Sequence, residues 1–88
     1  MKFTKKLRNE FAGCSSGPVY YESKGHAISA FDAVLESHGL HLDFNAYGGD
    51  SGYGSYDVLD EESHCVGYAF LSWYRMPSGR YEFVGYLA

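Results

Sequence analysis

From Leu40 to Tyr47 apolar and polar residues alternate: Leu40, Leu42 and Phe44 fall on one side, His41, Asp43 and Asn45 on the other. A period of two marks a half-buried strand. Just upstream the period lengthens. In SAFDAVLESHG, residues 29–39, Phe31, Val34, Leu35 and His38 recur at helical spacing and would face a sheet. Ser29 can cap the first turn, with Asp32 three residues on where a capping box places its acid. Gly39 suits the left-handed residue that ends a helix.

The rest of the chain reads as turns and strands. TKKLRNEFA is short, basic and mildly amphipathic, either a helical turn or an arm lying over the sheet. Ser15-Ser16-Gly17-Pro18 is a turn signal, and VYYES after it reads as a short strand. SYDVLDEE is a weaker strand ending in acids. HCVGYAFLSWY is the strongest, apolar on both faces and therefore central. RMPSGR follows, with Pro77 suited to the second position of a turn and Gly79 after it. RYEFVGYLA returns, so strands 65–75 and 80–87 form a hairpin. The order β-α-β-β-β predicts an α+β fold: a small two-layer domain with an antiparallel sheet of about four strands and one main helix on one face. One domain spans 1–88, with a basic N-terminal segment at 1–17 and a core at 18–88. No internal repeat interrupts it.

Composition sharpens this picture in one respect. The 88 residues are 45% hydrophobic and 20% charged, enough to fold around one modest core. Aromatic residues reach 18%, with nine Tyr, six Phe and one Trp. A helix of about ten residues is about 15 Å long and cannot cover so aromatic a sheet. Some of Tyr68, Phe70, Tyr74, Tyr81, Phe83 and Tyr86 should therefore lie on an open face. Three coverings for it stay open: residues 1–18, a second copy of the chain, or another protein.

The net charge of −4 is unevenly spread. Residues 1–10 hold Lys2, Lys5, Lys6 and Arg8 against Glu10, whereas residues 22–63 hold nine carboxylates against Lys24 alone. An acidic middle repels phosphate, so direct nucleic-acid binding is not expected. The same field attracts a basic protein surface; otherwise it is a solvated face. No run approaches the roughly 18 apolar residues of a membrane span. Phe11-Ala12-Gly13-Cys14 imitates a lipoprotein cleavage site, but Arg8, Asn9 and Glu10 break the apolar stretch such a signal needs. A cytoplasmic protein is expected, with Cys14 and Cys65 as reduced thiols, one or both buried.

The Gly-rich stretch YGGDSGYGSYD, residues 47–57, contains Gly49-Asp50-Ser51-Gly52, the letters around the nucleophile of trypsin-like proteases. A serine nucleophile needs an oriented histidine base and an oxyanion site. His26, His38, His41 and His64 lie in no protease histidine motif, and the chain is too short for that fold. A phosphate loop lacks its Lys-Ser/Thr ending, and Asp50 would repel the phosphate. Asp50, Asp57, Asp60, Glu61 and Glu62 could ligate calcium, but their spacing does not match the EF-hand pattern. His38, His41, His64 and Cys65 are zinc-type ligands without standard pair spacing. The consecutive acids of DEES read as a solvated turn. A non-enzymatic protein without metal or cofactor is expected.

What remains is a contact surface. Tyr, Gly, Ser and Asp are the residues of antibody binding loops, where Tyr gives large contacts at low entropic cost. Tyr47, Tyr53 and Tyr56 would anchor a partner while Asp50, Asp57, Asp60, Glu61 and Glu62 pair with its Lys or Arg. The alternative is a hairpin connection whose tyrosines pack back on the sheet edge.

In its size, acidity and β-α-β-β-β order, with a helix such as AISAFDAVLESHG, the chain over residues 18–88 resembles small phage-encoded inhibitors, including some anti-CRISPR proteins. The resemblance implies a stoichiometric blocker of a host nucleic-acid machine such as a CRISPR effector, covering its basic surface with carboxylates. The basic N-terminus departs from whole-molecule DNA mimicry and leaves a local acidic patch. The other expectation is a structural homo-oligomer, possible as a homodimer, associating through the exposed aromatic face.

Overall fold

The computed structural model describes residues 2–15, 20–43 and 53–88, with Tyr53 described by its backbone alone. The elements are α1 (Lys5–Ala12), α2 (Lys24–Glu36), β1 (His41–Leu42), β2 (Tyr53–Leu59), β3 (Cys65–Arg75) and β4 (Tyr81–Leu87). The strands form one antiparallel sheet in the order β1-β2-β3-β4, and both helices pack on one side of it. This is the expected α+β class. The order along the chain differs at its beginning. Of the strand expected at VYYES, Val19 lies outside the described residues, and among the others only Tyr21 pairs, in a single bridge to Tyr81. Ser23 turns the chain away at once, because its side chain already accepts the N–H of His26 and starts α2.

That cap also moves the start of α2 from Ser29 to Lys24. Ala27, Phe31 and Leu35 recur every four residues and are buried, with Ile28 and Val34 half-buried beside them. Asp32 does not close a capping box. Its Oδ1 accepts the N–H of Leu42 at 2.8 Å and so ties β1 to the helix. Gly39, at φ 74°, ends the helix as its sequence suggested, with Leu40 N–H bonded to Leu35 C=O and Gly39 N–H to Glu36 C=O.

Residues 5–12 form a helix because Thr4 caps it through the N–H of Leu7 at 3.1 Å and because Phe3, Leu7 and Phe11 make one apolar stripe. That stripe enters the core between α2 and the sheet, where the Phe11 and Phe31 rings lie 4.8 Å apart. Phe31 continues to Phe83, and Phe83 stacks on Trp73 at 5.6 Å. From the sheet, Leu42, Tyr56, Val58, Ala69, Leu71 and Leu87 complete this layer.

The N-terminal third also shields the free edge of β4. Tyr21 and Tyr81 exchange both backbone hydrogen bonds, Ser15 Oγ accepts the Gly85 N–H at 3.0 Å, and Arg8 Nη1 donates to Leu87 C=O at 2.6 Å. Such plugging prevents another strand from adding there. The β3–β4 hairpin closes as expected, Gly79 N–H bonding Met76 C=O across Pro77 and Ser78.

Candidate functional site

Residues paired across an antiparallel ladder share a face of the sheet. The registers therefore sort β2, β3 and β4 into two sets. Tyr56–Ala69–Leu87, Gly54–Leu71–Gly85 and Trp73–Phe83 point to the helices. Asp57–Tyr68, Ser55–Phe70–Tyr86, Ser72–Val84 and Tyr74–Glu82 point the other way, where no described element covers them. Tyr68 is 51% exposed, Tyr74 62%, Val84 49% and Tyr86 53%, a degree of exposure that large side chains reach only on an open surface. Phe70 stacks on Tyr86 with ring centroids 5.1 Å apart and planes 20° apart. Ser72, Trp73, Tyr74, Glu82 and Val84 line a shallow depression at one end.

Four of the six aromatic residues expected on an open face lie there. Tyr81 and Phe83 belong to the covered side instead, since β4 alternates from Tyr81 onward and Phe83 is fully buried. Residues 2–15 do not cover the open face. Their apolar stripe is used on the opposite side, so the described part of the covering expected from residues 1–18 does not lie on this face. Val84, Glu82 and Asp57 complete the surface. The period of two in YEFVGYL carried that signal for β4, with Glu82, Val84 and Tyr86 on one side.

The tyrosine-and-acid site expected around residues 47–62 is divided. Tyr47 and Asp50 lie outside the described residues, as does Gly49-Asp50-Ser51-Gly52. Tyr53 begins β2 opposite Ser72. Tyr56 is corrected: it is 1% exposed and packs in the core, because Gly54, Tyr56 and Val58 form the inward row of β2. It cannot anchor a partner. Asp57 is half-buried on the open face, and Glu61 and Glu62 are exposed in the β2–β3 turn.

Asp60 holds that turn together. Its Oδ1 accepts the N–H groups of Glu62 and His64, each at 2.9 Å, and its own N–H donates to His64 C=O. Ser63 takes a left-handed φ of 65° inside the loop. The hydrogen bond from the His64 amide, seconded by that of Glu62, lowers the Asp60 carboxyl below the ordinary aspartate range. Asp60 is therefore a structural carboxylate first.

The histidines are dispersed. His38, near the C-terminal end of α2, meets Glu10 of α1 at 2.9 Å, while His26 and His64 are exposed and His41 is half-buried in β1. Among the described residues no group of three or more His, Cys, Asp or Glu side chains is placed to hold a metal ion. Both cysteines are free. Cys14 is half-buried with Sγ 3.6 Å from Ala30 C=O, and burial pushes its thiol above the ordinary range. Cys65 is exposed at the start of β3.

No described helix is long and apolar enough to cross a membrane. No protein-family model matches the chain, and no curated protein or solved structure matches it significantly.

Proposed function

We propose that the protein acts without catalysis, by docking the open face of its sheet on another protein. The outward row of exposed Tyr68 and Tyr74 and half-buried Phe70, beside exposed Val84 and Tyr86, carries this reading. Tyrosine-rich, solvent-facing aromatic surfaces are enriched at protein interfaces, since each ring buries a large area at little entropic cost. The partner we favour is a basic host complex that handles nucleic acid, such as a CRISPR effector, and the result of docking is its inhibition. The acidic balance of residues 22–63 supports that choice, because it draws basic surfaces and repels the nucleic acid itself.

The test is affinity capture from nuclease-treated bacterial lysate, with the wild type beside a Tyr68→Ser/Tyr86→Ser variant. A nucleic-acid-handling complex identified with the wild type and lost with the variant supports the reading. Equal capture by both removes the open face as the docking surface. A second copy is the other occupant such a face could take. A sedimentation mass of one chain at tens of micromolar would exclude it.

A further inference from the structure

We infer that the open face recognises a protein segment carrying two cations about 20 Å apart, arginine better than lysine. This rests on the docking reading above and adds the chemistry of the partner. Tyr68 and Tyr74 stand toward opposite ends of the outer row of β3, six residues apart, which is about 20 Å of strand. Each has a carboxylate directly across the ladder: Asp57 of β2 opposite Tyr68, and Glu82 of β4 opposite Tyr74. Residues so opposed have Cβ atoms about 5 Å apart.

An exposed phenol ring beside a carboxylate is a receptor for a guanidinium. The planar cation stacks on the ring while its N–H fork reaches the acid. Neither Asp57 nor Glu82 has an ion-pair partner among the described residues. None of the outward positions of β2, β3 and β4 is a Lys or Arg. The face thus presents two uncompensated negative corners joined by the apolar stretch of Phe70, Tyr86 and Val84. An extended segment advances about 3.3 Å per residue, so cations at positions i and i+6 reach both corners, with apolar side chains between them.

Charge also weighs against the other occupants. Bases can stack on tyrosines, but phosphates would then approach two carboxylates with no cation on the face to hold them. Two copies docked open face to open face would bring four carboxylates together and no outward Lys or Arg from these strands.

The experiment pans a displayed random dodecapeptide library on the full chain, and in parallel on Asp57→Asn/Glu82→Gln and Tyr68→Ser/Tyr86→Ser. Thermal melts first show that each variant is folded. The expected result is enrichment of peptides with two Arg about six residues apart, several-fold over the unselected library. A synthesised winner should bind the carboxylate variant roughly fivefold or more weakly. It should also bind less tightly when its arginines become lysines. Peptides that depend on Tyr68 and Tyr86 yet show no excess of cations overturn the cation inference and leave the docking reading standing. Selection indifferent to both variants, or absent, overturns both. Binding of labelled single-stranded DNA or RNA at this face, or a dimer mass lost in the tyrosine variant, likewise overturns the inference in favour of that occupant.

Discussion

The Phe31 ring lies in the space that a Cβ on Gly85 would take, so helix α2 and strand β4 meet at a distance only glycine allows. The same Cβ would stand 2.7 Å from Leu71 Cδ2. Gly85→Ala is therefore an overpacking change in a filled core, and such changes cost about 1–3 kcal/mol. In a domain of this size each kcal/mol lowers Tm by roughly 4–8 °C. Phe31→Leu alone destabilises by leaving space. Combined with Gly85→Ala it should recover part of the loss, because the two residues share one volume. Strictly additive melting shifts for the pair would show that the contact is not the cause.

Asp60 is expected to behave as a turn clamp rather than as a partner-binding charge. Asp60→Ala removes the acceptor of two backbone N–H groups. The variant should melt lower than wild type at neutral pH. A carboxyl held below its ordinary range stabilises the fold above its unfolded pKa and loses that effect as pH falls through the folded value. The gap between the two melting curves should thus close in acid. A gap constant down to the acid limit would refute the clamp. Asp60 is therefore unsuited to a charge test of partner binding, whereas Glu61 and Glu62 of the same turn are exposed and hold no such backbone groups.

The sequence showed much of this fold because strands β3 and β4 alternate cleanly and their turn carries Pro77 and Gly79 in suitable places. What it hid was decided by tertiary partners. Gly25 and His26 dilute the helical pattern ahead of Ala27, so Ser29 looked like the cap, whereas Ser23 takes that role. Tyr20 and Tyr21 have strand propensity, but Ser23 caps α2 two residues after the Tyr21 bridge and leads the chain into the helix. Tyr56 looked exposed because its neighbours in the sequence are Gly, Ser and Asp. Its own period of two with Gly54 and Val58 marked it as inward. The aromatic open face was legible as a surplus of rings, yet which rings face outward follows from register, which composition does not contain.

Glu36 supplies a pH response of opposite sign. It lies one turn after Asp32 on α2. A side-chain hydrogen bond with Asp32, followed by the repulsion between the two carboxylates, raises its pKa. For a carboxyl raised in the folded state, the associated stability is fully present below the unfolded pKa and is lost as pH rises through the folded one. Glu36→Gln keeps a hydrogen-bonding group there without the charge. The variant should melt slightly above wild type at pH 7, and the difference should vanish near pH 3. A variant that melts lower at pH 7 would show that the Glu36 charge serves another contact.

The two thiols should differ in reactivity, and the difference reports on how α1 is held. Cys65 is exposed, whereas Cys14 follows α1, is half-buried against Ala30 of α2 and has a thiol raised by burial. Thiolate is the reactive species, so Cys14 is disfavoured both by access and by ionisation. With an aromatic disulfide reagent at pH 8, one equivalent should react rapidly and a second slowly. Cys65→Ser should remove the fast phase and Cys14→Ser the slow one. Phe11→Ala deletes a ring that packs on Phe31 just ahead of Cys14, and it should accelerate the slow phase more than it changes the fast one. Two equally fast thiols in the wild type would mean that this end of α1 opens far more readily than its buried Leu7 and Phe11 imply.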